Sequence, residues 1–207
     1  MVLSIGERIK GFLVSPSKTF DDSKEDTVGD AFKYFIVILA IFAVIVAVLI
    51  ALLFSLFAAM LGMLGVPAMP FGAAMGPLLA VASFIFLLIA GIIAVFISGL
   101  WLHIWVYLVG GRKGIGQTIK AVTYGMTPYC LLGWIPVVGF IAGIWALIVE
   151  IIGVRQLHEL STGKAALAVI IAIAIALIIY VVILVVFMPP MLGPGFPGPT
   201  GPGFGGF

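Results

Sequence analysis

The sequence predicts an all-α integral membrane protein with five transmembrane helices, N-terminus cytoplasmic and C-terminus outside. Three observations carry that prediction. Apolar residues make up 64% of the 207 and charged ones 9%, against ~45–50% and ~25% in soluble domains. The charges are segregated: no Asp, Glu, Lys or Arg lies between Lys33 and Arg112, between Lys120 and Glu150, or after Lys164. The Lys and Arg residues fall in alternate connections between apolar runs. A soluble chain of this length has too little interior to hide so much apolar surface, so its solvent is lipid.

Residues 1–33 read as a cytoplasmic amphipathic head. Val2, Ile5, Ile9, Phe12 and Leu13 recur at helical spacing with Glu7, Arg8 and Lys10 between them, which fits a short helix in the membrane interface or one packed on the bundle end. Ser15-Pro16 stops that helix, and "DDSKEDTVGD" reads as a solvated acidic turn. About thirty residues precede the first apolar run, and that run is too long for a signal-peptide core.

A spanning helix needs ~20 apolar residues. Residues 34–61 supply them, and "GMLGVPAMPFGAAMGP" then breaks the pattern. Residues 78–109 form a second run, long enough to tilt. Residues 118–134 form a weaker third, interrupted by Gly125 and Pro128, where Pro128 is expected to kink the helix. "WIPVVG" turns the chain into a fourth segment, 137–154, and 165–188 is the fifth. The third and fourth segments read either as two full spans, the preferred reading, or as a re-entrant hairpin. Residues 189–207 are a Pro/Gly/Phe tail of low complexity, expected to be disordered.

Lys and Arg occupy the head, the 110–120 connection and the 155–164 connection, and are absent from 62–77, 134–139 and the tail. Five alternating segments place every basic connection on one side, which by the positive-inside rule is the cytoplasm.

From Gly110 to Ile170 the chain carries a "GGRKG" loop, "YGMTP", "GWIPVVG" and "GVRQLHELSTGKA", preceded in the head by "SPSKTF". These motifs, in this order, resemble the Yip1 domain family, particularly its bacterial and archaeal members. The resemblance implies a five-span membrane protein; eukaryotic members sit in the early secretory pathway, bind small GTPases of the Rab class and help shape or sort membrane. This head lacks the Asp-Leu-Tyr-Gly-Pro-like motif of eukaryotic members, so GTPase binding is not carried over.

Among polar residues, Glu150 shares a face with Gly139, Gly143, Ala146 and Gly153, a row of small residues suited to close helix packing. An ionisable group on such a face either orders the bundle or serves a transport path. His103 lies one to two turns deeper than Glu150 if the helices align, and is a candidate hydrogen-bond partner for it. Arg112, Lys113 and Lys120 are candidate contacts for anionic lipid headgroups. Arg155 and Glu159 form an i,i+4 pair, and Ser161 or Thr162 can cap the fifth helix. "HELST" lacks the second histidine of a zinc-protease motif, "GGRKGIG" lacks the G-K-[ST] of a P-loop, and the single Cys130 excludes an internal disulfide.

No catalytic, metal or cofactor set is expected. The reading is a non-enzymatic, membrane-organising or trafficking-type adaptor, working through its cytoplasmic head and loops. Its expected partners are membrane lipids, a protein at the cytoplasmic face and a second copy of the chain, with no nucleic acid. The competing class is a small transporter or channel using Glu150 and His103, with Pro128 at a helix break.

Overall fold

A computed structural model describes residues 3–66 and 72–191. They form α1 (Ile5–Val14), α2 (Pro16–Asp22), α3 (Val28–Met63), α4 (Gly72–Leu108), α5 (Ile115–Gly125), α6 (Thr127–Leu132), α7 (Val138–His158) and α8 (Thr162–Met191), with no strand among the described residues. The chain divides into two compact units, Met1–Val169 and Ile170–Phe207. The first holds α1 to α7 and the opening turns of α8; the second holds the rest of α8. Val2, part of the 62–77 connection and residues 192–207 of the predicted tail lie outside the described residues.

Among the described residues, four helices are long and apolar enough to cross a membrane: Val28–Met63, Met75–Leu108, Val138–His158 and Thr162–Phe187. They make this a multi-pass membrane protein. The predicted third span, 118–134, is instead two short helices that meet at Met126. The reason is local. Pro128 has no N–H to continue the ladder, and the Tyr124 carbonyl accepts the Thr127 hydroxyl at 2.7 Å. Other boundaries also move. α3 starts at Val28 because Thr27 and Asp30 form a reciprocal capping box there. α7 runs on to His158 and ends where Glu159 turns left-handed at φ 55°, so most of the polar stretch around residue 155 is helix, not loop.

α3 and α4 pack antiparallel. Leu39 meets Gly91, where a Cβ would come within 2.8 Å of the leucine methyls, and the rings of Phe32 and Phe96 lie 5.3 Å apart. α5 and α6 run beside the first half of α3: a Cβ on Gly116 would touch Val28, Tyr34 hydrogen-bonds Thr127 at 2.9 Å, and Phe42 lies 5.9 Å from Tyr129. α7 returns antiparallel along α5 and α6, with Gly153 against Ala121, Gly125 against the Glu150 backbone and Gly139 against Gly133.

The hairpin turns at Val137, with φ 67° and ψ −54°, and Val138 N–H bonds the Pro136 carbonyl at 2.8 Å. That is a γ-turn of the rare, strained sense, with a β-branched residue at its centre. Replacing Val137 by Gly removes the Cβ clash but adds unfolded-chain entropy. Val137→Gly is therefore expected to raise stability by about 1 kcal/mol, read as a higher midpoint for thermal unfolding in detergent.

Candidate functional site: a head clamped to the inner end of the bundle

α1 begins with its own capping box. Ser4 accepts from Glu7 N–H, and the Glu7 carboxylate accepts from Ser4 N–H at 2.8 Å. The helix so fixed turns Arg8 and Phe12, one turn apart, into the protein. Phe12 stacks on Tyr124 at 4.7 Å and meets Phe20 edge-on at 4.8 Å, while Tyr34 closes the cluster 5.5 Å from Tyr124. Pro16 lets α2 start immediately after α1, which brings Phe20 back over this ring cluster and into contact with α7 at Gly153.

Arg8 is 5% exposed, so its charge needs partners. It forms a bidentate pair with Asp26, one arm at 3.1 Å, and donates to the Tyr124 hydroxyl at 2.6 Å. Tyr124 in turn donates to Asp26 at 2.6 Å. Lys120, one turn before Tyr124, is 2% exposed and donates to the carbonyls of Lys24 and Asp26, both at 2.8 Å. The segment Lys24–Asp26 is thus gripped from two sides. Arg155 and Gln156 at the end of α7 bond Ser17, and Gln156 also reaches Asp21 at 3.3 Å.

Burial works against charge on Asp26, but the hydrogen bonds from Arg8 and Tyr124 and the nearby Lys120 charge outweigh it, so its carboxyl titrates below the usual carboxylate value of 3.8. Hydrogen bonding to Asp26 holds Arg8 above its ordinary value, against its own burial. With the folded pKa of Asp26 depressed, its stabilisation is complete above 3.8 and is lost as pH falls through the folded value. The head is accordingly expected to become protease-sensitive only below pH 3.8, with no change across the neutral range; proteolysis of the purified protein along a pH series checks this.

A second polar cluster joins α4, α5 and α7. The Thr118 hydroxyl lies 2.8 Å from His103 Nδ1 and 2.9 Å from His158 Nε2. A hydroxyl has one proton, so at least one imidazole must donate to it. His158 is 3% exposed, and its Nδ1 is a buried atom without a hydrogen-bond partner among the described residues.

The sequence-predicted residues fall as follows. His103 does not meet Glu150: it pairs with Thr118, level with His158 and about two helical turns from Glu150. Glu150 is half-buried, its backbone under Gly125, and no hydrogen bond or ion pair reaches its carboxyl among the described residues. Lys120 is not a headgroup contact, because burial and the two carbonyls occupy its ammonium. Arg112 is exposed and stacks over Tyr107 at 3.6 Å; Lys113 pairs with Glu159 at 2.8 Å. Glu159 is therefore taken from Arg155, which turns to Ser17 and Thr162 instead. Gly139, Gly143, Ala146 and Gly153 lie on the side of α7 that carries its contacts with α5 and α6, and Pro128 sits in the first turn of α6. Among the described residues no three His, Cys, Asp or Glu side chains could hold a metal ion.

A cavity of about 270 Å³ lies between α3, α4 and α6, lined by apolar groups with Ser98, Tyr129 and Cys130. Neither Glu150 nor His103 lines it.

Sequence reasoning missed the clamp. The signal was present: Lys120 and Tyr124 sit one turn apart in an otherwise uncharged segment, and a lysine there requires a partner. No curated protein and no solved structure matches the chain. The family model of the Yip1 domain matches residues 10–185, from the middle of α1 into α8, and so takes in Phe12, Asp26, Lys120 and Tyr124 of the clamp but not Arg8; the chain belongs to the Yip1 domain family.

Proposed function

We propose that this protein is a non-enzymatic membrane organiser and adaptor of the Yip1 type, oriented with the head in the cytoplasm and the end of α8 outside. The observation that carries the reading is the clamp. A head held by a buried ion pair, a buried lysine and four aromatic rings is a fixed surface rather than a tether. That surface presents Lys10, Lys18 and Lys24 interspersed with Glu7, Asp21, Asp22 and Glu25, together with Arg112 and Lys113 of the α4–α5 connection, all exposed; Lys24 pairs with Asp21 and Lys113 with Glu159. A rigid face of mixed charge at the membrane suits a partner protein of complementary charge pattern, and its outlying cations suit anionic headgroups. The basic connections and the head share one end of the first unit, and the positive-inside rule assigns that end to the cytoplasm.

Cross-linking in native membranes, followed by mild-detergent purification and mass spectrometry, tests the adaptor role. A near-stoichiometric partner that is recovered with the parent protein and lost from an Arg8→Ala variant is the expected result. Recovery of the protein with bulk lipid alone would sink the adaptor reading.

A further inference from the structure

The α5–α7 hairpin is short beside the helices that hold it. Gly116, Thr127 and Tyr129 sit level with Val28, Tyr34 and Phe42 of α3. The turn at residues 133–139 therefore comes level with about residue 47 of α3, roughly 20 Å above Lys33 at 1.5 Å per residue. α3 continues apolar to Met63, about 24 Å further. That outer half is exposed hydrocarbon: Leu52, Leu56, Phe57, Met60 and Met63 are 51–89% accessible. A bilayer core of ~30 Å cannot leave those residues in water. Centring the core on the apolar length of α3 brings the hairpin tip to the middle of the membrane.

The side chains of the tip suit that depth. Between Trp134 and Ile141 there is no charged, amide or hydroxyl side chain, and Val137, Phe140 and Ile141 are 62–80% exposed. Backbone groups in lipid must be satisfied internally. Here the N–H groups of Gly133 and Ile135 bond α6 carbonyls, those of Tyr129 and Leu132, and Val138 and Gly139 N–H bond the carbonyls of Pro136 and Ile135. Pro136 has none to satisfy and Trp134 Nε1 donates to the Leu131 carbonyl at 2.8 Å, while Trp134, Val137 and Phe140 N–H have no backbone acceptor among the described residues. α1 adds to the same leaflet. Its anchors, Tyr34 and Tyr124, lie within the apolar segments, and Ile5 and Val14 remain 45% and 72% exposed.

We propose that α5–α7 is a re-entrant hairpin ending at mid-bilayer, and that residues 3–169 form a wedge which expands the cytoplasmic leaflet and favours membranes curved with that leaflet outward. This deepens the membrane-organising reading and rests on its orientation. In the cytoplasmic half, the first unit places α1, α3, α4, α5–α6 and α7; in the outer half only α3 and α4 continue. Insertion confined to one leaflet couples binding to curvature.

The test uses the full chain with Cys130→Ala, which leaves no other cysteine, and single reporters Val137→Cys at the tip, Met63→Cys at the outer end of α3 and Lys10→Cys on the head. Each is reconstituted in mixed phosphatidylcholine and phosphatidylglycerol vesicles. Nitroxide depth measurements are expected to put Val137→Cys at mid-bilayer, unlabelled by impermeant maleimide from either side. Head-out vesicles are expected to show severalfold higher protein density when small than when large. Labelling of Val137→Cys from the same face as Met63→Cys would mean a spanning hairpin and overturn the proposal. A mid-bilayer tip without size preference would overturn the wedge. Lys10→Cys reports the head's side separately, so a wrong orientation shows as reversed labelling; failure to recover a partner sinks the adaptor role and leaves the depth and size-preference results to decide the wedge.

Discussion

Arg8→Ala is expected to destabilise the protein by about 3–5 kcal/mol, the range for removing one partner of a buried ion pair. The cost comes less from the lost attraction than from what remains. Asp26, whose side chain is 11% exposed, would keep its charge with only Tyr124 and the Lys120 field to answer it. Tyr124 would lose a donor, and the stem of Arg8 would leave a void beside the aromatic cluster. Asp26→Ala should cost a comparable amount, since it strands a 5%-exposed guanidinium. Removing both charges leaves neither stranded, so Arg8→Ala with Asp26→Ala is expected to cost much less than the sum of the single changes. Such pairs show coupling of about 0.5–3 kcal/mol. Thermal unfolding of the four proteins in one detergent measures it. Strict additivity would mean that the two residues do not act as a pair in solution.

Lys120 separates what was legible in this sequence from what was not. Its position in a basic connection correctly marks which end of the chain is charged, because segregation of charge from apolar runs is a one-dimensional property. Its environment is three-dimensional. Whether a lysine at the mouth of a helix meets lipid or protein depends on whether another segment returns to cover it, and the segment that does so, Lys24–Asp26, lies about a hundred residues earlier. The same holds for His103, expected to lie deeper than Glu150 and to meet it: its partner Thr118 comes from a neighbouring helix, level with His158 and nearer the charged end than that carboxylate. The break at Met126 was half visible: Gly125 and Pro128 predict a kink, and the Thr127 hydroxyl bonding back to Tyr124 turns it into two helices too short for separate spans. Helix ends were poorly legible for a related reason. Apolar runs mark where lipid begins, whereas α3 and α7 extend past their runs through caps and polar turns that hydropathy does not see.

Gly139→Ala is expected to be among the most damaging single-methyl changes in the membrane domain. A Cβ there would lie 2.5 Å from the Gly133 carbonyl oxygen and 3.1 Å from its carbon. Both are backbone atoms of the chain entering the turn, so no side-chain rotation can relieve the clash. The turn must open, which disturbs the Gly139 N–H bond to Ile135 at 2.6 Å and the γ-turn beside it. Overpacking of this kind costs about 1–3 kcal/mol, and no water at that depth can replace a lost backbone bond. Gly143→Ala, one turn along the same face, provides the contrast. Its Cβ would meet only the Tyr129 ring at 3.9 Å, an ordinary contact, while alanine is favoured over glycine inside a helix by up to about 1 kcal/mol. Thermal unfolding should therefore show a clear loss for Gly139→Ala and none for Gly143→Ala. Equal losses at both positions would place the small-residue face of α7 against a different neighbour and would shift the register on which the depth of the hairpin rests.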